Sequence, residues 1–205
     1  MPNRRPLSRD RVLRAALTIA DAKGVEAVSM RSVATRLGVE AMSLYNHVAN
    51  KKALLDGLFD LVIRTANLPT GDATSEVWIR GAAKGLRGLA QEHPRLMPLL
   101  STRAIPLADS ETARPFEAGM RAFTAAGHDP VDAFVALQSV LLSLLAMTQV
   151  EATAALQGDA AEESALADLP AEEFPLLRAI AADPATLDDM WAGLVAGLVA
   201  GFARP

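Results

Sequence analysis

Apolar residues recur every three or four positions along most of the chain, and this spacing predicts α-helices. A first helix is predicted to begin at Ser8, whose hydroxyl can cap it, and to end at Gly24. Ser29 and Gly38 hold the corresponding positions around a second, shorter helix. The alternation of apolar and polar residues that marks strands is missing. The pattern therefore predicts an all-α fold.

Two more helices complete the amino-terminal region. A third is predicted over about residues 40–48, and a fourth, with a broad apolar stripe, follows Asn50. The stretch 68–72 contains proline and glycine and is the predicted boundary between two domains. We therefore expect a three-helix head with a linking helix over residues 1–67 and a larger helical body over residues 68–205.

The body is predicted to be helical between well-marked starts and stops. Asp129 followed by Pro130 is a strong helix start, and Thr186 with Asp189 fits a capping box. Gly158–Pro170 is rich in alanine and acidic residues without a clear apolar face, which predicts a loop. The predicted body helices cover about 74–92, a short segment after 94, 109–126, the segment from 130 and the segment from 186.

Charge is distributed unevenly along the chain, whose formal net charge is −4. Lys and Arg outnumber Asp and Glu by eleven to six through Asn67, and acidic residues outnumber basic ones by eighteen to nine thereafter. A basic head on an acidic body indicates a polyanionic partner for the head alone. The absence of cysteine excludes disulfides and thiol catalysis. Because no signal peptide is recognisable, we expect the protein to be cytoplasmic.

Residues 29–48 have the spacing of a helix-turn-helix, in which the second helix enters the major groove of DNA. Leu44 and Val48 share one face of that second helix and are expected to pack inward. Small and polar side chains suit close approach to base edges, and hydroxyl, imidazole and ammonium groups can donate to phosphates. The candidate DNA-contacting residues are Ala41, Met42, Ser43, Tyr45, Asn46, His47 and Lys51.

Five blocks stand out within residues 7–58: Ala15-Ala16-Leu17, Gly24-Val25-Glu26, Leu37-Gly38-Val39, Leu44-Tyr45-Asn46-His47-Val48 and Asn50-Lys51-Lys52-Ala53-Leu54-Leu55-Asp56. In these blocks, and in their spacing without gaps, residues 7–58 resemble the DNA-binding domain of the tetracycline-repressor family. The resemblance implies a homodimeric repressor that releases its DNA operator when a small molecule binds.

The resemblance also implies roles for single residues. Arg31 corresponds to a residue that recognises guanine, for which a guanidinium donating to both O6 and N7 is well suited. Ala41 departs from the family pattern, which has a long amide side chain there, so we expect a different operator. Base-facing roles are implied for Met42 and Ser43, and phosphate contacts for Tyr45, His47 and Lys51. Hydrogen-bonded packing is the alternative role of Tyr45 and His47.

Two apolar segments of the body are candidates for a dimer interface. Residues 133–150 are nearly all apolar, and the last helix, Met190–Ala203, places Gly193, Gly197 and Gly201 on one line. Such a glycine stripe allows two helix backbones to approach closely. Polar interruptions in the first segment and the shortness of the second argue against membrane spans. We therefore predict a four-helix interface between two copies of the chain.

The other body helices are expected to enclose a ligand pocket. By the resemblance, Thr102 and Asn67 replace two histidines that hold metal and drug in the tetracycline repressor. We therefore predict a largely apolar effector bound without metal or cofactor. The candidate ligand-contacting residues are Asn67, Trp78, Thr102, Arg103, Phe116 and Gln138.

Three other functions are weighed against a ligand-responsive repressor. A constitutive DNA-binding protein or activator would have a closed core without a ligand pocket. A helical protein-interaction module would have a head that has lost DNA binding, and binding unchanged by alanine at Arg31 and Tyr45 would favour it. An enzyme is disfavoured because the three histidines are scattered, and neither a phosphate-binding glycine loop nor a nucleophile elbow is present.

Overall fold

The computed structural model describes residues 6–101, 110–157, 168–182 and 185–203. All regular structure in these ranges is helical, which confirms the all-α prediction. The α-helices are α1 Arg9–Lys23, α2 Met30–Leu37, α3 Ala41–Leu44, α4 Lys51–Thr65, α5 Ser75–Glu92, α6 Met97–Ser101, α7 Ser110–Ala125, α8 Pro130–Gln157, α9 Pro175–Ala182 and α10 Leu187–Phe202, with 3-10 turns at Val25–Ala27 and Pro94–Leu96.

The predicted caps set the helix boundaries of the head. The Ser29 hydroxyl accepts from the Ser32 amide at 3.0 Å and thereby starts α2. Gly38 ends α2 in the left-handed conformation, with φ of 65°. The Asn50 side chain accepts from the Ala53 amide at 2.9 Å at the start of α4. These caps fix where the helices begin and end. The packing of α1 on both α2 and α4 joins the helices into one head.

The third helix is shorter than predicted. It covers Ala41–Leu44 rather than about 40–48, and residues 45–47 form turns. The Tyr45 amide bonds back only three residues, to the Met42 carbonyl at 3.2 Å, which tightens the chain out of the α-helix. The amides of both His47 and Val48 donate to the Leu44 carbonyl, at 2.9 Å each. The chain is thus redirected towards the cap of α4 within three residues.

The long helix α8 is the centre of the body. It packs against α5 and α7 most extensively, and α10 lies across both α5 and α8. The predicted start of α8 is confirmed, because the Asp129 carboxylate accepts from the amides of Val131 and Asp132 at 2.9 Å each. The capping box predicted at Thr186 and Asp189 also starts α10.

By length and composition, Pro130–Leu156 is also apolar enough to span a membrane, but 44% of its most apolar window is buried inside the fold. Buried positions of this window pack against α5, α7 and α10. This burial is characteristic of a core helix.

A single hydrophobic core connects the head to the body. It runs from Val12 in α1 to Leu198 in α10 and includes Leu68, which lies at the predicted domain boundary. A second connection joins α1 to the end of α5, where His93 Nδ1 lies 2.8 Å from Asp21 Oδ1. The division at residue 67 stays a prediction, and the two parts are closely packed.

One helix was not predicted from the sequence. α9, Pro175–Ala182, is only eight residues long, and its large apolar residues Leu176, Leu177 and Ile180 are exposed. The loop predicted over Gly158–Pro170 lies mostly outside the described residues.

Buried polar groups hold α10 on the body. The Glu151 carboxylate on α8 accepts from the Trp191 indole at 2.7 Å and from the Gln91 amide at 2.8 Å. Arg87 on α5 contacts the same carboxylate at 3.3 Å and also pairs with Asp188. Burial alone would raise the pKa of Glu151, but hydrogen bonds from Gln91 and Trp191 and the charge of Arg87 outweigh it, and the pKa lies below its ordinary value. Glu151 therefore links three helices as a carboxylate.

Candidate nucleic-acid interface and core cavity

The second helix of the helix-turn-helix presents one face to the core and the other to solvent. Leu44 and Val48 are buried, as predicted. Met42 and Tyr45 have 73% and 47% of their surface exposed, although both are large side chains with apolar parts. Asn46 is exposed, whereas Ala41, Ser43 and His47 are half-buried. Of the predicted DNA-contacting residues in this segment, three are exposed and three are half-buried. The exposed ones, on α3 and the turn after it, are called the recognition surface below.

Two basic side chains flank this surface. Arg31 is exposed in the first turn of α2, and Lys51 is exposed at the first position of α4. Within the described part of the chain, neither has an ion-pair partner. Exposed cations without a carboxylate partner are suited to phosphate or base-edge contacts.

Arg31 also lines a groove of about 640 Å³ between α1 and α2. The groove contains two more cations, Lys23 and Arg36, and none of the described residues that line it carries a carboxylate. Its hydroxyl groups come from Thr18, Ser29, Ser32 and Thr35. Three of the basic residues of the head therefore lie together in a groove formed partly by the helix-turn-helix.

A small apolar cavity lies where α4 meets the body. Its volume is about 20 Å³, little more than a water molecule requires. α4 contributes Phe59 and Ile63 to its wall, and α7 contributes Phe116. The other lining residues are Leu68, Leu86, Leu100, Leu141 and Leu145.

The structure separates the residues predicted to contact a ligand. Phe116 lines the cavity, whereas Gln138 is half-buried on α8 and is not among the lining residues. Trp78 is fully buried, and its indole nitrogen donates to the Pro115 carbonyl at 3.1 Å. Asn67 is exposed in the left-handed conformation, with φ of 50°, directly after α4. Thr102 and Arg103 lie outside the described residues.

Most of the cavity wall could not be singled out from the sequence. Phe59, Ile63 and the five leucines continue ordinary apolar stripes, so their spacing is the same as that of any core residue. Only the position of α4 over the body turns these core residues into a cavity wall.

The three histidines are apart from one another. His47 belongs to the helix-turn-helix surface, and His93 contacts Asp21. His128 lies 3.2 Å from the Phe202 carbonyl at the end of α10. In the described ranges, no three His, Cys, Asp or Glu side chains are grouped so that they could hold a metal ion.

The helix-turn-helix and its surroundings are similar in sequence to known regulatory proteins. Residues 12–58 match the family described as bacterial regulatory proteins, tetR family. A helix-turn-helix transcriptional regulator of Saccharopolyspora erythraea is 33% identical over 165 residues, which cover 79% of this chain and 68% of that protein. The transcriptional repressor DrrR1 of Streptomyces coeruleorubidus is 40% identical over 109 residues. That match covers 51% of this chain and only 40% of the length of DrrR1.

Solved structures extend the similarity across the body. ActR of Streptomyces coelicolor without ligand is 29% identical, with a TM-score of 0.77 over 96% of this chain and 97% of that one. ActR in complex with actinorhodin is 26% identical, with a TM-score of 0.78 over 96% and 99% of the two chains. The fold, the helix-turn-helix and these relatives together show that the chain belongs to the TetR family of DNA-binding transcriptional regulators.

Proposed function

We propose that the protein is a repressor that binds a palindromic operator as a homodimer and leaves it when a small, largely apolar molecule binds. Arg31 would recognise a guanine, and Met42, Ser43 and Asn46 would face bases in the major groove. Tyr45, His47 and Lys51 would contact phosphates and fix the register on the duplex. The exposure of Met42 and Tyr45 supports this assignment, because such side chains are otherwise mostly buried.

The proposed homodimer forms through α8 and α10. Several large apolar side chains of α8 are exposed, including Phe134 at 52% and Leu142 at 66%. A Cβ atom added at Gly193, Gly197 or Gly201 on α10 would meet no atom of the described chain within 4 Å. A second copy seated on this face would cover both features and leave space for close helix packing. The two recognition helices would then contact half-sites about 34–36 Å apart.

The position of the cavity between head and body is the main support for the proposal that a small molecule controls DNA binding. Its wall combines α4, which belongs to the head, with α5 to α8 of the body. A drug-sized ligand needs at least about 300 Å³, so it cannot fit unless these helices separate. A ligand that binds the opened form better would shift the population towards it and change the spacing of the heads.

The wall also indicates the chemical class of the effector. The eight lining residues that the structure describes are all apolar, which favours a ligand held by burial rather than by charge or metal. ActR, a relative of similar length, has been crystallised with actinorhodin and with (S)-DNPA. We propose an organic effector of this general kind, acting in the cytoplasm, and no cofactor.

The test is release of labelled operator from the purified protein, followed by fluorescence anisotropy. A panel of organic compounds that includes apolar ones and actinorhodin is titrated against wild-type protein and against Ile63→Ala, which widens the cavity. We expect at least one compound to release the operator, at a concentration that Ile63→Ala changes several-fold. An exposed apolar residue away from the wall, Val77, provides the matched control Val77→Ala, for which no change is expected.

A constitutive DNA-binding regulator or activator is the second candidate, because the cavity is nearly closed at about 20 Å³. It would bind the operator but release it with none of the compounds. Release that is equal in wild-type protein and Ile63→Ala would place the effector outside this cavity and contradict the assignment of the site.

A further inference from the structure

The end of α4 rests on α5 at a point where no side chain intervenes. A Cβ atom built on Gly85 would lie only 2.1 Å from the carbonyl oxygen of Ala66, the residue that caps α4. One turn earlier, a Cβ on Gly81 would lie 2.6 Å from Cγ of Pro69. Because these two glycines lack a side chain, the Ala66 backbone and the Pro69 ring can lie directly against α5. Both belong to the segment that joins head to body.

Gly88 on the same helix shows that this closeness is local. A Cβ on Gly88 would meet nothing within 4 Å. Glycine in a helix interior is less favourable than alanine, so each one requires a reason. For Gly85 and Gly81 the reason is steric, whereas the described chain offers none for Gly88.

The segment that connects α4 to α5 turns sharply and is partly buried. Asn67 turns the chain with a positive φ of 50°, and Leu68 is buried in the wall of the cavity. The α4 helix therefore ends in a fixed elbow, Ala66–Pro69, pressed against α5. Phe59 and Ile63, further back along α4, line the same cavity as Leu68.

We propose that Gly81 and Gly85 are positioning residues that form a fulcrum, on which α4 turns when an effector opens the cavity. This inference rests on the proposed function and adds the point about which the head moves. Ala66 keeps its contact with Gly85, while the cavity-lining part of α4 is pushed away from α8.

The length of α4 determines how much a displacement near the cavity grows towards the head. At a rise of about 1.5 Å per residue, Phe59 lies about 10 Å from Ala66 along the helix, and Lys51 lies about 22 Å from it. A displacement at Phe59 is therefore roughly doubled at Lys51, next to the recognition surface.

The decisive comparison is between Gly85→Ala and Gly88→Ala, two identical changes on one helix. Because the chain has no cysteine, spin labels can be placed at two introduced sites only, Ala49→Cys in the head and Ala125→Cys in the body. Both alanines are exposed. Labelled chains are diluted with excess unlabelled chain, so that pulsed dipolar spectroscopy reports the distance within one chain. Operator affinity and melting temperature are measured in parallel.

We expect Gly85→Ala to shift the head-to-body distance by about 2 Å or more and to change operator affinity at least tenfold, while Gly88→Ala changes neither. Equal distances in the two variants would overturn the fulcrum. Because the distance needs neither operator nor effector, this outcome is distinct from failure of the proposed function, in which the wild-type protein itself would bind no operator.

A second pair covers the case in which Gly85→Ala does not fold. Gly81→Ala presses only on the Pro69 ring, and Pro69→Ala in the same chain removes the ring atoms that it meets. Gly81→Ala is expected to shift the head-to-body distance, and the double variant to restore it, with Pro69→Ala alone as the reference. No shift in Gly81→Ala, or a shift that the double variant keeps, would contradict the proposal.

Discussion

Among single residues, substitution of Arg31 tests whether the proposed interface recognises a DNA sequence or attracts DNA only by charge. Its guanidinium is exposed beside the recognition surface, so replacing it leaves the core intact. We expect Arg31→Ala to lose about 1–3 kcal/mol of discrimination between the operator and a scrambled duplex. The matched control is Arg14→Ala, an exposed arginine on α1 that removes the same charge. Equal losses in the two variants, measured by anisotropy, would mean that Arg31 contributes only charge.

Asn67 offers a test between a role in the backbone and a role in ligand binding. It holds a positive φ of 50°, a conformation that asparagine and glycine tolerate better than alanine. We expect Asn67→Gly to keep the free energy of unfolding within a few tenths of a kcal/mol, and Asn67→Ala to lower it by about 1 kcal/mol. Urea titration measures both. If the two variants are equally stable but respond differently to effector, Asn67 acts on the ligand instead.

At the scale of elements, the anchoring of α10 by Glu151 predicts a dependence of stability on pH. The pKa of Glu151 is lower in the folded protein than in the unfolded chain. Its contribution is therefore fully present above the ordinary glutamate pKa and is lost as the pH falls through the lower, folded value. We expect Glu151→Gln to lower the free energy of unfolding at pH 7 by about 1.5–3 kcal/mol, because hydrogen bonds to a charged group are weakened.

The measurement is a series of denaturant titrations from pH 7 down to pH 3. The difference between wild-type protein and Glu151→Gln should narrow as the pH falls. The control is Asp10→Asn, which removes a carboxylate from an exposed ion pair with Arg14 and should have little effect at any pH. A difference between wild-type protein and Glu151→Gln that is constant over the series would contradict the account of this carboxylate.

Elements differ in how well the sequence predicts them. Ser8, Ser29, Asn50 and Thr186 cap helices where predicted, because a cap is formed by neighbours in the chain. The extent of α3 was overestimated, since its early end depends on how tightly the chain must turn towards α4. The cavity wall was largely missed, because it arises from the packing of α4 on the body rather than from any local pattern.

At the scale of the whole molecule, the exposed face of α8 and α10 predicts a dimer. Leu142→Glu places a charge on this face, and we expect it to convert the protein to monomers in sedimentation velocity and to weaken operator binding at least tenfold. The control is Val77→Glu, at an exposed apolar residue of α5 outside the face, with 57% of its surface accessible against 66% for Leu142. A dimer that persists in Leu142→Glu but dissociates in Val77→Glu would place the interface elsewhere.

In the proposed function, the basic helix-turn-helix head, held on an acidic body, recognises one DNA sequence. The most direct test of this recognition is to select bound fragments from genomic DNA with the purified protein at two salt concentrations. We expect enrichment of a palindrome whose half-sites are one helical turn apart, with retention at the higher salt. Sequence-independent binding that disappears at the higher salt would show a general polyanion binder and would contradict the account.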